Sequence, residues 1–483
     1  MEFSEESATR RPALAAFAAL NAVAAWAGAA GLIAGGIDFG DTLNRRLPFD
    51  SVVLAGLGLT VIVAVPLTAL AWLAWAGHPR TLDLSLLVGI TLIGWILLQV
   101  VALRAVSLFQ PAYLAVGAWF IAESGRVHLR PAVKGALLVV TGSVAVAIGV
   151  GLIPQFVENL PSSGALLCAV GILGGGALTV AGARSGLSGR GRPMGAAGVV
   201  GTLFAMAVIV WLIAPAIAAT NVPPSEITAT PADLGLVFEA VTLTTTDDVD
   251  LAAWYLPGAT DAAIVVAHGA GSTRSDALDQ AAVLNRNGFG VLLIDARGHG
   301  ESDGTAMDFG WYGDLDMSAG IDHLSTRAEV DPRRIGVLGL SLGGEEAIAA
   351  GADPRVRAVV AEGATARTAA DKAWLSDAYG WRGWLQEQVE KAQFGVTDLL
   401  TDASPPTALR SAVAESAPTP FLLITAGQVT DESHAADFIR AGAPERVAVW
   451  TVGGAAHTGG LDAAPDEWEA RVVSFFDEHL RAS

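Results

Sequence analysis

A serine set between two glycines, Gly339-Leu340-Ser341-Leu342-Gly343, is the group in this sequence best suited to nucleophilic chemistry. The apolar, β-branched run 335–338 before it reads as a buried strand, and residues 345–350 behind it read as the first turns of a helix. Turning a strand into a helix at one residue cramps the backbone there, so the positions two before and two after must lack side chains. Gly339 and Gly343 meet that need. The turn lifts Ser341 Oγ clear of the sheet and aims the amide of Leu342 at the place where an oxyanion would form. A second amide is offered by His268-Gly269-Ala270-Gly271-Ser272, where small residues let the backbone turn inward. Ala270 N–H is the expected second oxyanion donor, with Gly269 beside it and His268 fixing the loop by hydrogen bonding rather than acting as the base. The stretch Asp295-Ala296-Arg297-Gly298-His299-Gly300-Glu301-Ser302 is expected at the edge of the same site, with His299 in support.

These three stretches together resemble the α/β-hydrolase superfamily, most nearly its serine-peptidase and esterase branches. The resemblance covers about residues 236–480 and nothing before them. It implies an eight-stranded sheet and the order serine, acid, histidine along the chain, so both remaining members should follow Ser341. Of the histidines that do, His479 falls in the closing helix and His434 near a helix start. His457 follows the last strand in the loose loop Gly453-Gly454-Ala455-Ala456-His457-Thr458-Gly459-Gly460, the setting a general base needs to reach Ser341. The acid should follow the preceding strand, where Gly427-Gln428-Val429-Thr430-Asp431-Glu432 makes Asp431 the first choice. Glu432 could substitute, or serve as a helix-start charge, and Glu362 is a further candidate because some superfamily members take the acid from that strand.

The elements that must position these residues alternate. Residues 236–246 and 251–256 read as a hairpin, then 262–267, 290–295, 335–340, 356–361, 421–426 and 447–452 as strands. Helices are expected over 276–287, 312–325, 345–350, 434–441 and 465–480. Such alternation predicts right-handed crossovers and a mostly parallel sheet covered on both faces, with chemistry gathered at the strand C-termini. The rhythm breaks over about 365–418, a cap-like insertion whose Trp374, Tyr379, Trp381 and Trp384 suit a packed cap, an acyl pocket or an interfacial surface.

Before residue 221 the chemistry is different. Residues 1–220 hold 12 Lys plus Arg against 9 Asp plus Glu, whereas residues 221–483 hold 17 against 39. The mean hydropathy of the whole chain is positive, which points to lipid as the solvent of the first part. Seven apolar runs are expected as membrane helices: 12–36, 51–77, 84–103, 105–122, 135–156, 164–183 and 194–220. The fourth is short and holds Gln110 and Pro111, so a re-entrant segment is its alternative. With the N-terminus cytoplasmic, Arg10, Arg11, Arg80, Arg126, Arg130, Lys134, Arg184, Arg190 and Arg192 lie inside. Only Arg45, Arg46 and Arg104 lie outside, which puts the acidic part on the outer face. Glycines such as Gly171, Gly174, Gly175 and Gly176 would let these helices approach closely, and the scarcity of charge within them favours a packed anchor over an ion path. The architecture expected is thus an all-α membrane domain over 1–220, a Pro-containing linker over 221–235 with Pro223, Pro224 and Pro231, and an α/β-hydrolase domain over 236–483.

This pattern points to a multi-pass cell-membrane serine hydrolase that cleaves an ester or amide through an acyl-enzyme on Ser341. An acyltransferase with the same triad and a transporter or sensor with a ligand-binding hydrolase-like domain are the alternatives. The substrate class is a small molecule, lipid or peptide, and membrane lipid surrounds the first part. The acidic surplus excludes nucleic acid as a partner. No metal or organic cofactor is implied: Cys168 is the sole cysteine and no His-Glu-x-x-His occurs. Nothing in the sequence sets the oligomeric state.

Overall fold

Apolar runs without charge satisfy their backbone groups in hydrocarbon by forming helices, and the first part of the chain is helical. The structure, a computed structural model, describes residues 9–37, 47, 51–103, 107–125, 130–156, 162–189, 191–222, 225–304 and 308–481. Arg45, Arg46, Arg104, Ala105, Arg126, Arg190, Pro223 and Pro224, used in the reading above, lie outside the described residues. The chain divides into two units, Met1–Ala218 and Ala219–Ser483.

In the first unit α1 (Pro12–Ile33), α2 (Val52–Ala76), α3 (Thr81–Leu103), α5 (Pro131–Gly151), α6 (Ser163–Leu187) and α7 (Arg192–Ala219) are long and apolar enough to cross a membrane. The expected fourth span is instead α4 (Phe109–Glu123), 15 residues long. At 1.5 Å per residue it measures about 22 Å, short of the ~30 Å hydrocarbon core. Six such helices, not seven, are therefore found among the described residues. Ser85 Oγ donates to the Phe120 carbonyl at 2.8 Å and, further along α3, Ile93 meets Gly117, where a Cβ would lie 2.7 Å from Ile93 Cγ1, so α4 runs antiparallel to α3. Small residues do set helix spacing, though only some of those expected. A Cβ on Gly142 of α5 would collide with the Gly175 carbonyl and sit 2.5 Å from Thr179 Oγ1. One on Gly171 would lie 3.0 Å from the Ala145 carbonyl, while Gly174 and Gly176 have nothing within 4 Å.

The second unit is built on one eight-stranded sheet in the order β1-β2-β4-β3-β5-β6-β7-β8. The strands are β1 (Glu239–Thr244), β2 (Asp250–Leu256), β3 (Ala263–Ala267), β4 (Gly290–Ile294), β5 (Ile335–Leu340), β6 (Val356–Glu362), β7 (Phe421–Ala426) and β8 (Val447–Val452). The pairs β1·β2 and β2·β4 are antiparallel and the rest parallel, so the sheet is mixed. Strands covered on both faces read as continuous apolar runs. Val265, Leu292, Val337 and Val359 enter one layer, and Ile264, Leu293, Leu338 and Val360 the other. The helices that close these layers and matter for the site are α8 (Leu278–Arg286), α9 (Gly313–Thr326), α10 (Leu342–Ala350), α14 (Thr430–Arg440) and α15 (Pro465–Phe476). Between β6 and β7 lie α11 (Leu375–Tyr379), α12 (Trp381–Leu400) and α13 (Leu409–Glu415).

Candidate active site

Strand β5 ends at Leu340 and α10 begins at Leu342, so Ser341 alone makes the turn, at φ 54° and ψ −119°. A non-glycine residue held there costs roughly 1–3 kcal/mol and persists only where its surroundings fix it. The Ser341 N–H donates to the Glu362 carbonyl of the next strand at 2.7 Å, and the Ser341 carbonyl accepts from Gly344 N–H at 2.9 Å. A Cβ on Gly339 would collide with the Gly343 carbonyl, and one on Gly343 would stand 2.6 Å from the Ala267 carbonyl at the end of β3. The two glycines thus let strand, helix and neighbouring strand close around the serine.

His457 Nε2 lies 2.8 Å from Ser341 Oγ, and its Nδ1 lies 2.7 Å from Glu432 Oε1. The chain of contacts is hydroxyl, imidazole, carboxylate. The expected acid, Asp431, is not the residue on the imidazole. Helix α14 starts at Thr430, one residue before it, so Asp431 and Glu432 project about 100° apart around the helix. Glu432 points under the sheet edge and is 1% exposed; Asp431 faces out and accepts from Tyr379 OH at 2.5 Å. The second Glu432 oxygen accepts from Ala426 N–H at 2.7 Å, which fixes the carboxylate from both sides. The hydrogen bond to Glu432 raises the His457 pKa above its ordinary value. Glu362 does not reach the imidazole either. It accepts from Gly460 N–H at 2.7 Å and Trp468 Nε1–H at 2.9 Å, so it anchors the loop that carries His457, and burial pushes its carboxyl up.

The other two histidines that follow Ser341 are engaged elsewhere: His434 stacks on Trp374 and His479 meets Phe475 edge-on.

The loop after β3 comes against the serine: a Cβ on Gly269 would be 3.1 Å from Ser341 Cβ and 3.7 Å from its Oγ. Two buried imidazoles grip this loop. His268 Nε2 accepts from Ala296 N–H at 3.0 Å, so its Nδ1 carries the proton and donates to the Gly269 carbonyl at 2.7 Å. His299 Nε2 accepts from Gly271 N–H at 3.1 Å, and its Nδ1 donates to the Arg297 carbonyl at 3.1 Å. Burial lowers both pKa values to about 4, so both rings are neutral near pH 7. Residue 270 is thereby held between two fixed neighbours. Its amide and that of Leu342, the first residue of α10, donate to no acceptor among the described residues. Two free amides beside a serine oxygen can receive charge developing on a carbonyl oxygen.

Sequence reasoning missed two residues at the site. Gly363, at φ 73°, leaves room for the imidazole, since a Cβ there would sit 2.9 Å from His457 Cε1. Glu345, on α10, accepts the N–H groups of Thr365 and Ala366 at 2.9 and 2.7 Å, and burial lifts its carboxyl to about 7. The signal for both was the position of Glu362-Gly363 at a strand C-terminus and of Glu345 one turn past the serine. In the segment between β6 and β7, Trp374 is buried, whereas Trp381 and Trp384 are 75% and 57% exposed.

Among solved structures the chain is similar to an esterase of Pyrococcus furiosus, Pf2001, with 24% identity and a TM-score of 0.43 over 54% of this chain and 98% of that one. Among curated proteins it is similar to YfhR of Salmonella typhi, 32% identical over 118 residues, and to Rv2307c of Mycobacterium tuberculosis, 34% identical over 128 residues. These matches take in 23% and 26% of this chain, and span 40% and 43% of the relatives' own length. Residues 258–416 match the serine aminopeptidase S33 family of hydrolases. The C-terminal unit, with that match and the strand order described above, is an α/β-hydrolase domain of the S33 kind, preceded in the same chain by a helical region suited to a membrane.

Proposed function

We propose that this protein is a membrane-anchored serine hydrolase that cleaves an ester or amide through an acyl-enzyme on Ser341. The observation that carries the reading is the unbroken contact from Ser341 Oγ through both ring nitrogens of His457 to Glu432, at 2.8 and 2.7 Å. His457 takes the serine proton as Oγ attacks the carbonyl carbon, and Glu432 stabilises the imidazolium that results. The amides of Ala270 and Leu342 hold the tetrahedral oxyanion. His457 then gives its proton to the leaving group, and water, deprotonated by the same ring, releases the acyl group.

The helical region anchors this unit in the bilayer; the six long helices alone would leave the N-terminus and the hydrolase unit on one face, and the outer-face placement requires α4 to cross as a short seventh span. The antiparallel run of α4 beside α3 supports that seventh crossing, which a short helix makes where the bilayer thins, as does the bias of Lys and Arg. The activity is tested with p-nitrophenyl esters of graded chain length and aminoacyl amides, using the full chain in detergent. Turnover should fall by about 10³-fold or more in Ser341→Ala and in His457→Ala. Equal turnover by wild type and Ser341→Ala would refute the mechanism. Long-chain preference would identify a lipid-like acyl group, and amide cleavage a peptidase.

A further inference from the structure

Polar side chains within membrane helices are costly unless they are partnered. In the helical unit five such groups line one cavity of about 240 Å³, bounded by α1, α2, α3 and α4: Gln110, whose Oε1 accepts from Ser107, and four others. Asn21, only 8% exposed, donates through Nδ2 to the Phe17 carbonyl at 2.9 Å, which leaves Oδ1 without a donor. Trp95 Nε1–H is buried and has no acceptor. The side chains of Gln99 and Tyr113 also line the cavity and make no hydrogen bond among the described residues. Both donors and acceptors are therefore on offer, and no lining residue carries a charge.

A second cavity of about 230 Å³ adjoins the first and shares Leu59, Trp95 and Gln99 with it. Apart from Gln99 and the Trp95 indole its walls are apolar, including Leu32, Leu54 and Leu98. Leu59 precedes and Val63 lies within a π-helical turn, Thr60–Ala64, inside α2. Such turns in otherwise regular helices are frequent where a helix serves a ligand rather than packing alone.

The geometry points to a binding site for an uncharged single-chain lipid, one whose hydroxyl and carbonyl head meets Asn21, Trp95, Gln99 and Tyr113 while its chain fills the apolar cavity. A charged head is disfavoured because no counter-charge lines either space. The helical unit thus does more than hold the chain in the bilayer, and this function is independent of the chemistry at Ser341.

The test uses the full chain carrying Ser341→Ala, so that binding is read without turnover, in detergent with a diazirine-bearing 1-monoacylglycerol. Irradiation should place the label on α1 and α3 peptides. Excess 1-monooleoylglycerol should compete it away, whereas lysophosphatidylcholine, with its charged head, should not. The double variant Asn21→Leu/Gln99→Leu should cut labelling about tenfold, the effect of losing one or two net hydrogen bonds. Leu59→Trp, which fills the space shared by both cavities and leaves the polar groups in place, should cut it as well. Circular-dichroism helicity and a thermal transition like those of the parent chain, measured on the same variants in detergent, report that the helical unit is folded. Label spread over α5, α6 and α7 as over α1 and α3, absence of competition, or unchanged labelling in both variants would overturn the proposal and leave cavities that hold only water or bulk detergent.

Discussion

Glu432 and Asp431 are adjacent in sequence, and one residue decides which of them serves His457. Both oxygens of Glu432 are acceptors, one toward His457 Nδ1 and one toward Ala426 N–H. Glutamine has a single acceptor oxygen, so Glu432→Gln must give up one of these bonds or turn an N–H toward the imidazole. We expect kcat/KM for a soluble ester to fall by roughly 10²–10⁴-fold. Asp431→Asn, which alters only an exposed contact to Tyr379, should change it by no more than about twofold. His457 acts as base when neutral, and its pKa is raised chiefly by Glu432, so activity in wild type falls as pH drops through a value above 6.5. In Glu432→Gln that limb should move to lower pH; a pH–rate profile checks the sign. Gly363→Ala should lower kcat about 10²-fold by displacing the ring, with KM little changed, because a misplacement near 1 Å suffices for such a loss. The serine, its glycines and His457 were legible because strand, turn and loop chemistry restrict the residue types there. The acid was not, since helix starts are uncertain by a residue or two, and at 100° per residue that uncertainty exchanges an inward carboxylate for an outward one.

Strands were the most legible elements because burial on both faces demands unbroken apolar runs. The eight strands of the sheet, among the described residues, lie within a few residues of the pattern read from hydropathy. What hydropathy does not encode is strand order, which places β4 between β2 and β3 and makes the sheet mixed. In the helical part length was the harder quantity: residues 105–122 read as a span, but the helix begins only at Phe109, with Ser107 N–H and Oγ–H both donating to Gln110 Oε1 just ahead of it. Glycine content predicted close packing without saying where. At Gly142 the approach to α6 is closest, so Gly142→Leu should force α5 and α6 apart. A clear drop in the thermal transition of the detergent-solubilised helical unit is expected, while Gly174→Leu, facing open space, should leave it within about 2 °C.

At the scale of the whole molecule, the chain carries two compositions, one suited to lipid and one to water. Near neutrality and apolar helices mark the first unit, and a large acidic surplus marks the second. Full-length protein should stay with membranes through alkaline carbonate extraction and be released only by detergent; release by carbonate would contradict spanning by the six long helices. The division of labour proposed is between a helical unit with a lined cavity, suited to a bilayer, and a hydrolase unit whose serine contacts His457. The latter is tested most directly by a fluorophosphonate probe on the intact protein, with the modified residue located by peptide mass. The account predicts one adduct, on Ser341, absent in Ser341→Ala, slowed in His457→Ala and Glu432→Gln, and unchanged in Asp431→Asn. Folded wild-type protein that takes up no probe, or an adduct that persists in Ser341→Ala, would contradict it.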